Sequence, residues 1–233
     1  MQFLTKLALV GSVASSLLGA LAVPLTTSKV PRQLAQVITK CTVPNTVALT
    51  FDDGPHVYMY DISKAIIAAG GKATFFVNGN NYGCIYDADN VKRVKYLYDK
   101  VHDEMWRVEE ALQRILGVNP AFMRPPFGSY NDNVLAASAV RGQKVAIWDF
   151  DSGDSTGATP AQSKQKYTDI ANQRPSTILT LNHETYERTA HEVIPHAISM
   201  LQAKGYRLVT LAECLGEQPY QSVGSPATGS WTC

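Results

Sequence analysis

The chain carries almost no excess charge. Its 21 Lys and Arg stand against 20 Asp and Glu, for a net charge of +1, and the basic residues are scattered. That argues against nucleic acid or an anionic membrane surface as partners. It has no Asn-x-Ser/Thr triplet, so no acceptor site for N-glycosylation. Beyond Ala22 no apolar run is long enough to cross a bilayer. No two of the five histidines (His56, His102, His183, His191 and His196) stand four residues apart. His191 and His196 are five apart, so they do not share a helix face, and exposed helix histidines are the plainer reading for both.

At the N-terminus, Lys6 precedes an apolar run, Leu7 to Leu21, that is interrupted by Gly11, Ser12, Ser15, Ser16 and Gly19. It ends in Ala20-Leu21-Ala22, a small-residue cleavage pattern. Residues 1–22 therefore read as a secretory signal rather than an anchor. Residues 23–40 read as a short leader or extended segment, 41–216 as one domain, and 217–233, rich in Ser, Gly and Pro, as a loose tail. The four cysteines are Cys41, Cys84, Cys214 and Cys233. In an exported chain an even count favours two disulfides, and three pairings are open. Cys41 lies just before the first strand of the domain and Cys214 just after the last. A Cys41–Cys214 bridge would staple the ends of the domain and is preferred, which leaves Cys84 with Cys233.

Hydrophobic periodicity gives strands at Val47–Phe51, Ala73–Val77, Ala121–Met123, Lys144–Phe150, Thr177–Leu181 and Arg207–Leu211. Helices lie between them, for example Ile62, Ala65, Ile66 and Ala69 on one face before Gly70-Gly71. This alternation predicts an α/β fold of parallel-sheet or barrel type. It breaks once. A helix from about Ala88 to Lys100 is followed at once by another, Asp103 to Leu116, with one strand apparently missing between Lys100 and Asp103. A helix-turn-helix insertion is the plainer alternative.

The chemistry concentrates at strand ends. Val47–Phe51 runs into two adjacent carboxylates and a turn, Thr50-Phe51-Asp52-Asp53-Gly54-Pro55. Ligands sit at the carboxyl ends of parallel strands, and neighbouring residues there point in different directions. One acid can then hold a metal while the other acts as base. Further strand ends carry Arg124-Pro125-Pro126-Phe127-Gly128-Ser129-Tyr130, Trp148-Asp149-Phe150-Asp151-Ser152-Gly153-Asp154 and Leu181-Asn182-His183. Each alone reads more plainly as a polar turn or a structural residue. Their shared placement favours a site.

These segments resemble the motifs of the NodB-like polysaccharide deacetylases (carbohydrate esterase family 4), and within that family the secreted fungal chitin deacetylases. The resemblance covers Cys41 to about Leu215. It implies a distorted (β/α) barrel and hydrolysis of N-acetyl groups on chitin or chitooligosaccharides by a monomeric, extracellular or cell-wall enzyme. It assigns Asp52 as base, Arg124 as its orienting partner, His183 as acid and Asp154 as the residue that tunes His183. Phe127 would line the groove, Leu181 and Trp148 the acetyl pocket, and the backbone at Tyr130 would face the oxyanion. Ser155 stands where the family has a tryptophan. Asp53 would bind Zn²⁺, or alternatively Co²⁺, with two histidines from an H-x-x-x-H motif. That motif is absent, and its place is the gap already exposed by the alternation. His56 is the remaining candidate ligand, against the plainer reading of a solvated loop residue. The resemblance therefore implies a deacetylase whose activity is impaired in this chain, with a carbohydrate-binding protein that has lost catalysis as the alternative.

Overall fold

A computed structural model of the chain describes residues 33–98 and 106–233, which lie in the compact unit Arg32–Cys233. The expected signal, most of the leader, the gap at Lys100–Asp103 and His102 lie outside the described residues.

The chain opens with β1 (Val37–Ile38), followed by β2 (Thr46–Ala48) and β3 (Thr50–Gly54). The single strand expected at Val47–Phe51 is thus two, divided at Leu49, and the second continues through both carboxylates. The apolar stripe read from the sequence packs inward as α1 (Met59–Ala68), with Ile62 and Ile66 buried. Next comes β4 (Thr74–Val77), buried at every position. Two helices follow, α2 (Ala88–Tyr98) and α3 (Trp106–Leu116), then β5 (Val118–Pro120) and β6 (Phe122–Met123). Among the described residues no strand stands between β4 and β5. Helix α4 (Asp132–Val140) starts at Asn131, whose side-chain oxygen accepts from the N–H groups of Asn133 and Val134. The expected strand Lys144–Phe150 is broken into β7 (Lys144–Ala146) and β8 (Phe150–Asp151). Helix α5 (Pro160–Gln173) has a capping box of Thr159 and Gln162. It leads to β9 (Thr177–His183), a π-helical turn at Thr189–Val193, α6 (Ile194–Ala203) and β10 (Arg207–Val209). Four elements were not expected: β1 and β5, and after β10 the helix α7 (Leu211–Leu215), opened by a Thr210–Glu213 capping box, and β11 (Tyr220–Val223).

The largest sheet has the order β10-β2-β9-β3-β4, with β8 also on β9, and every pair is parallel. A second parallel ladder is β1-β7-β6, and β11 pairs antiparallel with β5. Among the described residues the strands therefore do not close a barrel. Each ladder ends on one flank of the expected gap: among the described residues β4 and β6 each pair on one side only. Side chains meet across that place, since Phe76 of β4 and Phe122 of β6 share one buried cluster. In the main core Phe51 stacks on Phe75, with ring centroids 4.9 Å apart. Burying a side chain of that size contributes roughly 1.5–3 kcal/mol.

Both expected disulfides are present, Cys41–Cys214 and Cys84–Cys233. Residues 217–233, read as a loose tail, are instead held: β11 pairs with β5, and Trp231 packs against the Tyr86 ring at 5.8 Å. The unpaired edge of β5 supplies backbone partners that composition could not reveal. Cys41 and Cys214 are both buried and close a long loop, with a sequence separation of 173. Replacing both by alanine should lower the unfolding free energy by about 3–5 kcal/mol in urea titrations, because the unfolded chain regains its loop entropy. A loss under about 1 kcal/mol would contradict that origin.

Candidate active site

Two strand ends meet at the centre of the site. The parallel register of β3 and β9 pairs Asp52 directly with His183. Each is held by an oppositely charged or hydrogen-bonding partner from another element. Arg124, just past β6, is 5 % exposed and places Nη1 2.8 Å from Asp52 Oδ1 and 2.7 Å from Thr50 Oγ1. Its Nε donates to the Ala146 carbonyl at 3.2 Å and its Nη2 to that of Ile147 at 2.8 Å. The guanidinium lies over the Phe76 ring at 4.3 Å and near Trp148 at 5.4 Å. Burial raises the Asp52 carboxyl above its ordinary value, and the Arg124 charge and hydrogen bond recover only part of that rise.

On the other side, His183 Nδ1 lies 2.8 Å from Asp154 Oδ1, and the His183 N–H donates to Asp154 Oδ2 at 2.7 Å. Asp154 is 1 % exposed and also accepts from Thr189 Oγ1 at 2.8 Å. The carboxylate thus fixes which ring nitrogen faces it and leaves Nε2 for the cleft. Burial pulls the His183 imidazolium down, but the Asp154 hydrogen bond and charge, with Asp52 and Asp53, outweigh it and leave the group above its ordinary value. Asp53 adopts φ 75°, a left-handed conformation that aspartate tolerates better than most residues, and its Oδ1 accepts from Asn78 Nδ2 at 3.2 Å.

These groups open into a cleft of about 680 Å³. Leu181, Trp148 and Phe127 line it, together with Asp151 and Ser155. Tyr130 does not line it. After the left-handed residue Phe127 the backbone runs through Ser129 to the Asn131 cap, and the part of this segment that lines the cleft is Pro125–Gly128. Trp148 covers Gly128 so closely that a β-carbon there would collide with the indole. His56 is also elsewhere. Its ring lies between Tyr58 and Tyr82, at 5.1 and 5.4 Å, and lines a separate cavity. Burial and the nearby Arg93 charge lower its pKa. His191 pairs with Asp61, and His196 with Thr168. Among the described residues no three His, Cys, Asp or Glu side chains are grouped to hold a metal.

Sequence reasoning missed several residues. Asn78, Tyr82 and Tyr186 line the cleft. Thr189 supports Asp154. Glu184 is fully buried and accepts from the His56 N–H at 2.9 Å; a β-carbon at Gly54 would collide with its carboxylate. Burial pushes the Glu184 carboxyl well up, and the Asp52 and Asp53 charges add to the rise. Only its position next to His183 hinted at a role.

An NMR titration of the His183 ring should give a midpoint above 6.5, and Asp154→Asn should lower it, because the hydrogen bond and charge that most oppose burial are then gone and Asp52 and Asp53 alone act against it. The stability that the imidazolium adds is full below about 6.5 and fades as pH rises through the native midpoint. An unchanged midpoint in the variant would show that Asp154 does not hold the ring.

The polysaccharide deacetylase family profile matches residues 39–97 and 86–146, two stretches that overlap on α2, next to the break in the βα alternation. A chitin deacetylase from a Pestalotiopsis species is 33% identical over 217 residues, covering 82% of this chain and 70% of that protein. One from Colletotrichum lindemuthianum is 30% identical over 222 residues, covering 84% and 89%. The solved structure of the chitin deacetylase from that fungal pathogen superimposes with a TM-score of 0.75 at 28% identity, over 81% of this chain and 96% of the other. With a relative this similar along most of both chains, and with the paired strand-end groups in place, the chain belongs to the polysaccharide deacetylase family.

Proposed function

We propose that this protein is a secreted hydrolase directed at the N-acetyl groups of chitin or chitooligosaccharides, with its acid–base machinery intact and its metal site incomplete. The observation that carries the reading is the facing pair on β3 and β9: Asp52 braced by Arg124, and His183 braced by Asp154. Amide hydrolysis needs such a pair. In this assignment Asp52 takes a proton from the attacking water, and His183 gives one to the departing amine. Products would be acetate and a glucosamine unit. The 3₁₀ turn uses the N–H groups of Gly128 and Ser129 for its own bonds to Pro125 and Pro126, so we assign the Phe127 N–H to the oxyanion. Leu181 and Trp148 would wall the acetyl methyl. The two disulfides support an extracellular setting.

A divalent ion such as zinc does not fit the described residues. A catalytic zinc takes three protein ligands. Of the ligands that the resemblance assigns, the described residues offer Asp53, and its neighbour Asn78 turns an amide N–H toward it, a donor where a ligand is needed. His56 faces another cavity. This mismatch favours one second reading, a carbohydrate-binding protein of the same fold that no longer turns over.

Titration of the full chain with zinc, with acetate release measured on chitin oligomers, separates the cases. The expected result is zinc well below one per chain, acetate release near the blank, and retained oligomer binding. Insertion of a strand bearing H-x-x-x-H between Lys100 and Val101 should restore metal and acetate release together. One zinc per native chain with rapid acetate release would overturn the assignment of an incomplete site.

A further inference from the structure

Where β4 ends, the chain leaves the ladder through Asn78 and Gly79, both half-buried, and Asn78 lines the cleft. We propose that Asn78–Gly79 is a self-modification site: in the folded protein the Asn78 amide is converted to a carboxylate, by attack of the Gly79 backbone nitrogen followed by water. The cleft then gains a charge where it held a neutral donor. The reaction needs no carbohydrate and stands apart from the reading above.

The chain has ten asparagines, and only Asn78 is followed by glycine. The others precede Thr, Asn, Tyr, Val, Pro, Asp, Gln or His, whose side chains crowd or block the attacking nitrogen. Glycine adds no such bulk and rotates freely enough to close a ring. The surroundings leave that freedom intact. A β-carbon at Gly79 would meet only Val108 Cγ2, at 3.6 Å, an ordinary contact. Among the described residues the Gly79 N–H donates to no acceptor, so it loses its proton without first breaking a hydrogen bond. The Asn78 N–H donates to the Gly54 carbonyl at 2.6 Å, and the Gly79 carbonyl accepts from the Ile85 N–H at 2.8 Å. Both bonds lie outside the reacting pair, which is the Asn78 side chain and the Gly79 nitrogen.

The net change is hydrolysis of one amide. Hydroxide takes the Gly79 amide proton, and the nitrogen attacks Asn78 Cγ. The Cγ–Nδ2 bond breaks, ammonia leaves with a proton from solvent, and a cyclic imide closes. Water opens the imide at either carbonyl, giving aspartate or isoaspartate, with nothing oxidised or reduced. The effect on the cleft follows from one contact. Asn78 Nδ2 donates to Asp53 Oδ1 at 3.2 Å. In the aspartate product a carboxylate oxygen replaces that donor. Attraction between the loop and the end of β3 then becomes repulsion between like charges.

The test is incubation of the full chain, with both disulfides formed, in mildly alkaline buffer. Peptide mapping by mass spectrometry follows every asparagine, and enzymatic methylation detects isoaspartate. Asn78 should convert at least tenfold faster than any other asparagine, and faster still as pH rises. Gly79→Ala, at a position with room for a β-carbon and no left-handed φ, should keep the fold and slow conversion at least tenfold. The Asn78→Asp chain copies one product, and its backbone N–H at residue 78 should exchange with solvent at least tenfold faster than in wild type. Conversion no faster than at the other asparagines overturns the proposal. So does conversion confined to a urea-unfolded control, or a Gly79→Ala chain that converts at the wild-type rate. Unchanged exchange in the Asn78→Asp chain overturns the loosening of the loop from β3.

Discussion

The buried Arg124 guanidinium is the contact on which the rest of the site depends. It reaches from the end of β6 to Thr50 and Asp52 on β3 and to the carbonyls of Ala146 and Ile147 at the end of β7. It therefore joins the two parallel ladders where backbone pairing between them is missing among the described residues. A buried charge is tolerated only when paired and hydrogen-bonded, and removing one partner of such a pair typically costs about 3–5 kcal/mol. The same bonds that neutralise the arginine aim the Asp52 carboxylate. Structural and chemical roles are thus inseparable at this residue.

The two sides of the site are built differently. Asp52 is a carboxyl raised by burial and steadied by a cation, whereas His183 is an imidazole raised by a carboxylate despite burial. One group is thereby moved toward holding a proton less reluctantly, and the other toward keeping it. Glu184 lies behind them as a third buried acid. Its contact with the His56 N–H and with Gly54 fixes the turn that carries Asp53. Among the described residues Asp53 belongs to no group of three His, Cys, Asp or Glu side chains that could hold a metal.

Much of this was legible because the chemistry sits where apolar runs stop. Asp52, Arg124, Asp154 and His183 each end or follow a strand that periodicity could find, and parallel sheets collect such ends on one rim. The break in alternation before α3 was legible for the same reason. What could not be read depends on partners distant in sequence. The burial of Glu184 requires a glycine on a neighbouring strand. Pairing of β11 requires the free edge of β5. The division of β2 from β3 at Leu49 follows their different neighbours, β10 and β4. Tyr130, assigned through the resemblance, lies outside the cleft lining because the left-handed residue Phe127 turns the chain toward the Asn131 cap. The cap at Thr210–Glu213, by contrast, was plain in the sequence, and α7 could have been found from it.

The bond from Cys84 to Cys233 has a practical consequence. Cys233 belongs to the segment that follows β11, and Cys84 to the loop whose Asn78, Asn81 and Tyr82 line the cleft. A group attached next to Cys233 would therefore sit beside that loop. A short peptide tag there would compete for the same space as a long carbohydrate, whereas a reporter dye at that position would sense its arrival directly.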